Sequence, residues 1–446
     1  MAFPSQNKFP VSQTSFSYRS NVQTLGSVDR DGDYDIVYYN ADIINGRSKN
    51  SIFNEDPIVS FKEARNVPII NDTTKFEFSI IRFQLNGVGK NLPLMIPQIA
   101  VGADNPYLIS DPPKSVNFTT YTFGLSLVVG GLTYYASRNL IYEPENLTYL
   151  NSNSYPRIPT KSQDLTNDYY YIYTYDHFVK LVNKTFNLLR ADLVTLKGSS
   201  FASYAPFMTY DAPSGLFSIY YDTSSFGITG ATEEMNLYSN NNSFGLFGSF
   251  DTDYINPSTL IVNASRTNDI NDAIAGNKNE PNIFRVYNKL NTNIWLPNSF
   301  AGFPTLAPSY YKMTENFVST SSIWSPIQSI VFTSGQLPVV NESISAPIVY
   351  GTSNDDSSNT SAAFSPIIAD LAVNMKRAED YSNFIYYEPQ GEFKMASMIG
   401  GSNGKLTDID IQVYYKNRLD NKLYPIRMFN YSSVSMKMLF RKRLKK

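Results

Sequence analysis

Polar and apolar residues alternate with a period of two from Thr407 to Tyr415 and again from Ser432 to Phe440, around a turn at Leu419-Asp420-Asn421-Lys422. That pattern predicts a half-buried C-terminal hairpin. Further strand signals fall at Asp35–Ala41, Ile58–Phe61, Phe76–Leu85, Leu92–Ile99, Thr119–Val129 and Leu132–Ala136, the last two joined by a Gly130-Gly131 hairpin turn. Phe207–Tyr210 and Leu216–Tyr221 flank Asp211-Ala212-Pro213-Ser214-Gly215, a second hairpin with turn residues in place. Beyond Glu233, strands are expected at Leu260–Val262, Phe284–Tyr287, Ile327–Thr333, Ala346–Tyr350, Phe384–Glu388 and Phe393–Met398.

One segment has the helical period instead. Phe178, Leu181, Val182, Phe186, Leu189 and Leu193 recur at three- and four-residue spacings, with Asp176 as expected N-cap and Gly198 just past the end. This predicts an amphipathic helix over 177–197, whose stripe closes one mouth of a sandwich. The expected fold class is therefore all-β, one or more jelly-roll-type antiparallel β-sandwiches with a single helix mid-chain. Its expected organisation is an N-terminal arm (1–28), a first β-sandwich (29–230), a second β region (231–440) and a basic tail (441–446).

Composition supports that picture. The chain has 446 residues, 29 Phe and 33 Tyr, and only 17% charged residues, a mixture suited to short strands joined by many turns. There is no Cys, so stability rests on buried area and Cys-ligated zinc is excluded. Nine Asn-x-Ser/Thr sequons, from Asn71 to Asn430, are expected to stay unmodified, because residues 1–26 lack the apolar core of a signal peptide. Apolar runs are too short to span a bilayer, so no membrane partner is expected. Removing the five tail cations from a net charge of −2 leaves a body of −7, which is no cradle for nucleic acid.

Candidate chemistry is sparse. Asp29, Asp31, Asp33 and Asp35 crowd oxygens as a calcium loop does, but Tyr34 and Asn40 stand where an EF-hand needs Gly and Glu. An acidic solvated turn is the expected reading, with no metal. Gly87-Val88-Gly89-Lys90-Asn91 lacks the upstream glycine and the Ser/Thr of a phosphate loop, and reads as a Gly-rich turn. His177, the one histidine, sits at the helix start and is read as structural. Glu233, Glu234, Glu388 and Glu392 are read as surface charges and not as a glycosidase pair. No catalytic residue and no cofactor are expected.

Two groups remain as candidate contacts. Tyr169, Tyr171, Tyr173 and Tyr175 share one face if the segment is a strand, forming a sugar platform or, the favoured reading, an aromatic seam between subunits or sheets. Arg441, Lys442, Arg443, Lys445 and Lys446 either contact phosphates of genomic DNA or an acidic partner, or form a solvated tail.

Four sets of segments carry a resemblance. They are YYNADIING (38–46) with VPIINDTTKFEFSIIRFQLNG (67–87), YTYDHFVKLVNKTF (173–186) with PFMTYDAPSGLFSI (206–219), SPIQSIVFTSGQLPVVNE (325–342), and IDIQVYYKNRLDNKLYPIRMFNYSSVSMKMLFRKR (409–443). In this order they resemble penton or penton-like minor capsid proteins of polinton-like viruses and virophages, small double-stranded DNA viruses. The resemblance implies a jelly-roll body, self-assembly into an icosahedral shell of the virion, and no enzyme activity. The implied partners are copies of itself, a pentamer favoured, and the main capsid protein. Alternatives left open are a main capsid subunit, a receptor- or glycan-binding spike, and a β-sandwich carbohydrate-active enzyme.

Overall fold

The computed structural model describes residues 16–45, 58–86, 92–99, 117–145, 168–222, 233–247, 249–255, 283–286, 294–295, 310–318, 324–340, 367–372, 384–387, 396–399, 404–418, 421–428 and 432–443. The expected strands at 260–262 and 346–350 and the Gly-rich turn at 87–91 lie outside these residues, as do Glu388 and Glu392.

The chain forms two compact units. One combines Met1–Leu92 with Pro326–Lys446, and the other is Pro93–Ser325. The sequence reading instead cut the chain near residue 230. Contiguous cutting fails because the last strand pairs with two strands from the first hundred residues, a partnership that local periodicity does not encode.

Before the division come β1 (Phe16–Val28), β2 (Tyr34–Asn45), β3 (Ser60–Ala64) and β4 (Phe76–Asn86). The second unit holds β5 (Phe118–Val129), β6 (Leu132–Ile141), α1 (Tyr175–Lys197), β7 (Phe207–Asp211), β8 (Leu216–Asp222), β9 (Glu233–Asn240) and α2 (Asn241–Leu246). It ends with β10 (Thr252–Ile255), β11 (Ile283–Val286), β12 (Ile294–Trp295) and β13 (Tyr310–Thr314). The chain then returns through β14 (Ile327–Thr333), β15 (Ile367–Ala372), β16 (Phe384–Tyr387), β17 (Ala396–Ser397), β18 (Asp408–Asn417), β19 (Leu423–Pro425) and β20 (Ser433–Lys442).

In the first unit one sheet runs β1-β2-β20-β4-β16, with β17 also on β4. The other runs β15-β14-β18-β19, with β3 also on β18. Leaving out β1, β17 and β19, eight strands divide between the sheets in jelly-roll order: β2-β20-β4-β16 in one and β3-β18-β14-β15 in the other. The residues of the second unit are thus inserted in the chain between the third and fourth strands of the roll. Alternation decides which side chains face in. Val37, Tyr39, Ala41 and Ile43 of β2 are buried, as are Ile409, Ile411, Val413 and Tyr415 of β18. Phe83 meets Phe332 edge to face at 5.0 Å, and Tyr39 meets Phe61 at 5.9 Å, so each pair joins the two sheets. Each such ring stabilises by roughly 1.5–3 kcal/mol on burial.

Two corrections follow from this topology. The expected C-terminal hairpin is not one, because β18 and β20 lie in different sheets; β18 pairs instead with the short β19. The expected N-terminal arm is, from Phe16 onward, a strand paired with β2 from Phe16↔Asn45 to Val28↔Tyr34. Its side chains from Asn21 to Val28 are exposed or half-buried, so main-chain hydrogen bonding holds it and no apolar period marks it.

The second unit has a five-stranded sheet, β10-β11-β9-β5-β6, and a four-stranded one, β12-β13-β8-β7. Gly130 and Gly131 take φ of 56° and 77°, the left-handed pair that a two-residue hairpin turn needs. Leu92–Ile99 is not a regular strand; it makes single bridges at Met95↔Ile172 and Ile99↔Thr119.

The helix α1 packs on β5 and β6 of one sheet and β7 of the other. It starts two residues before the expected 177, with Thr174 as N-cap accepting from the His177 N–H at 3.2 Å. It ends at Gly198, φ 74°, whose N–H donates to Val194 and Thr195 carbonyls. The six predicted stripe residues are all buried. The second helix, α2, is one and a half turns long and escaped the periodicity reading because so short a segment has no stripe. No helix among the described residues is long and apolar enough to cross a membrane.

Candidate functional site

The basic C-terminus is the natural place to look for chemistry, and the structure ties its first three cations to neighbouring strands and turns. Arg441 and Lys442 are the last residues of β20, in register with Glu77 and Phe76 of β4. Arg441 Nη2 pairs with Glu77 at 3.3 Å. Lys442 Nζ donates to the Asp33 carbonyl at 2.6 Å and lies 3.3 Å from both Asp29 and Asp35. Arg443 donates to the Met398 carbonyl at 2.6 Å and the Phe76 carbonyl at 3.2 Å. Arg441 and Lys442 thus belong to β20 and not to a tail, while Arg441 and Arg443 remain exposed. Lys445 and Lys446 lie outside the described residues.

What receives Lys442 is the Asp29–Asp35 turn. Asp29 accepts from the Asp31 and Asp33 N–H groups at 2.9 Å each, and Lys75 pairs with Asp29, Asp31 and Asp72. The Asp33 N–H bond, with Lys442 beside it, holds the Asp29 carboxyl down at about 2. Asp35 is lowered as well, chiefly by the Ser27 hydroxyl and N–H. Asp33 is 3% exposed and accepts from the Asn71 N–H, the Asn71 side-chain amide and the Asp72 N–H at 2.7, 3.1 and 2.9 Å. The calcium-like spacing thus ties β2 to the segment before β4, with two lysines as counter-ions. Among the described residues no cluster of His, Asp and Glu has metal-binding geometry.

The tyrosines are also internal. The segment is a single turn of 3-10 helix at Asp168–Tyr170, a bridge at Ile172, then α1, so the alternation expected of a strand does not apply. Tyr169 packs edge-on to Tyr142 and Tyr170, and Tyr171 to Tyr173. Tyr175 meets Tyr210, Phe217 and Trp324. Tyr169, Tyr173 and Tyr175 are buried and Tyr171 half-buried, so they stiffen this unit's own core.

His177 is buried, and its Nε2 donates to the Glu143 carbonyl at 2.7 Å. Glu233 accepts from the Ala202 and Ser203 N–H groups and the Ser203 hydroxyl. Partial burial opposes its ionisation, but those bonds outweigh it and its carboxyl is lowered. That is a brace between a loop and β9, the opposite of a raised catalytic acid. Sequence reasoning passed over two carboxylates, the half-buried Glu63 and the buried Glu315. Glu63 takes the Tyr39 hydroxyl and the Arg65 guanidinium, the latter at 2.8 Å. Glu315, directly after β13, is 3% exposed. No local motif marks either; only the strand positions of β3 and β13 could have.

The architecture has counterparts among solved structures. A chain of the Sputnik virophage cryo-EM structure matches with a TM-score of 0.65 at 20% identity, over 92% of this chain and 98% of that one. The mavirus penton protein matches with a TM-score of 0.53 at 14% identity, over 92% and 99%. By fold this is a jelly-roll protein. The family profile described as Sputnik minor capsid protein V18/19 matches residues 37–442, and the chain belongs to that family. It is a structural protein of the virion capsid. One relative, described as uncharacterized protein V18 of Sputnik virophage, is 30% identical over 130 residues. That match covers 28% of this chain and 65% of the relative's length.

Proposed function

We propose that this chain is the penton-type subunit of its shell, assembling into a closed pentamer at the vertex and packing its flanks against the main capsid protein. The observation that carries the reading is the fold, an eight-strand jelly roll enlarged between its third and fourth strands, which is like that of the mavirus penton protein over nearly the whole chain. A closed five-fold ring needs two different flanks on each subunit that complement one another. The subunit works without catalysis. Glu233 and His177 are engaged as braces, so replacing Glu233 by Gln is expected to leave assembly intact.

Arg441 and Lys442 are ion-paired within the subunit and Arg443 donates to its own main-chain carbonyls, so contact of the tail with genomic DNA or an acidic partner rests on Lys445 and Lys446 together with the exposed Arg441 and Arg443. The test is mass photometry of purified protein. A species of five copies of the 50.3 kDa chain, about 250 kDa, supports the reading. A stable monomer that turns over a glycan or ester substrate would replace it with the enzyme alternative.

A further inference from the structure

Glu315 continues the β13 ladder by one residue. Its N–H donates to the Phe217 carbonyl at 3.0 Å, and the Phe217 N–H donates to its carboxylate Oε2 at 2.9 Å. The other oxygen, Oε1, is buried without a hydrogen-bond partner among the described residues. Phe217, its pairing partner, belongs to an aromatic cluster: its ring stacks on Trp324 at 5.5 Å and meets Phe247 and Tyr210 at 5.1 and 5.0 Å.

Charged groups on the neighbouring elements are turned to other partners. Lys312 of β13 lies over the Tyr220 ring, and Asp211 at the β7–β8 turn accepts from Ser214. Asp222, at the far end of β8, accepts from the Tyr204 N–H, while Asp251 accepts from the Asn316 side chain. Tyr175 of α1 and Tyr210 of β7 have their rings in the aromatic cluster. An ionised Glu315 therefore has no counter-ion among the described residues, and burial without one favours the neutral acid.

What Glu315 anchors is an apolar tip. Asn316, Phe317 and Val318 follow it at the surface, Phe317 62% and Val318 50% exposed. The Asn316 N–H and side-chain amide both donate to the Ser249 carbonyl, at 3.2 and 3.1 Å. The Ser249 hydroxyl donates to the Phe317 carbonyl at 2.7 Å. The tip is thus tied to Ser249 by three hydrogen bonds and follows directly on Glu315, whose N–H and carboxylate are both tied to Phe217.

We propose that Glu315 is a proton-controlled anchor, which holds the Asn316–Val318 tip in place when neutral and loosens it when ionised. Burial pushes its carboxyl up to about 7, with the Phe217 N–H opposing. A folded value above the unfolded one means that anchoring is at full strength below the unfolded value of about 4.3. It is progressively lost as pH rises towards 7. Firm presentation of Phe317 and Val318 thus belongs to mildly acid conditions, and loosening to neutral and alkaline ones.

Hydrogen exchange of the full-length protein at about pH 5 and about pH 8, corrected for intrinsic rates, tests this at the Phe217 and Asn316 amides. Local opening should rise on the order of 50-fold across that interval in the wild type and stay flat in Glu315→Gln. The same pH dependence in both proteins, or none in the wild type, overturns the proposal. Should Glu315→Gln fail to fold, carbon NMR of glutamate carboxyls in the wild type decides. A titration near 7 assigned to Glu315 supports the anchor, and one in the ordinary carboxylate range removes it.

Discussion

At the residue scale the most consequential side chain is Lys442. It brings a cation from the chain's end to an acidic turn near its beginning, and so closes a unit built from two distant segments. Lys442→Met is expected to lower the unfolding temperature, with the difference from wild type shrinking as salt rises, since part of the effect is screened charge. Asp29 and Asp35 have lowered folded values, so their contribution is present above the unfolded carboxylate range near 4 and lost as pH falls through the folded values, about 2 for Asp29. Acid unfolding curves of Lys442→Met and wild type should therefore converge at the acid end. Asp33→Ala removes the acceptor of three N–H bonds and should cost about 2–4 kcal/mol in denaturant unfolding. Little of this was legible in the sequence. The Asp spacing suggested a solvated turn, and the basic run suggested a free tail, because neither pattern records that β20 ends beside the turn.

At the element scale legibility was high where the period was long and one-sided. The α1 stripe, its glycine stop and the alternation of β2, β18 and β20 follow directly from which positions are apolar. Partners were harder, since β18 and β20 read as neighbours and lie in different sheets. Each needs only one buried face, and alternation says which side chains go in without saying against which strand. Phe186 sits wholly buried in the stripe, 5.4 Å from Phe123. Phe186→Asp is expected to destabilise by several kcal/mol, measured by thermal unfolding, because an unpaired carboxylate enters an apolar contact. Thr174→Ala should cost about 1 kcal/mol through loss of the N-cap. The tyrosines at 169–175 were misread because their alternation mimics a strand, while the chain there makes a turn of 3-10 helix before α1.

At the scale of the whole molecule, the two ends of the chain build one jelly roll and its middle builds a second sandwich, so the folded unit is defined by long-range pairing and not by sequence order. Deleting Lys445 and Lys446 should leave unfolding unchanged, whereas deleting 441–446 should destabilise the protein, because the longer cut removes the end of β20 and its ties to the acidic turn. The proposed role makes this chain a shell subunit that closes into five-fold rings. Negative-stain images of the purified protein test it most directly. Closed rings with five-fold class averages are the expected result, and a uniform field of single particles that stays monomeric with rising concentration would contradict it.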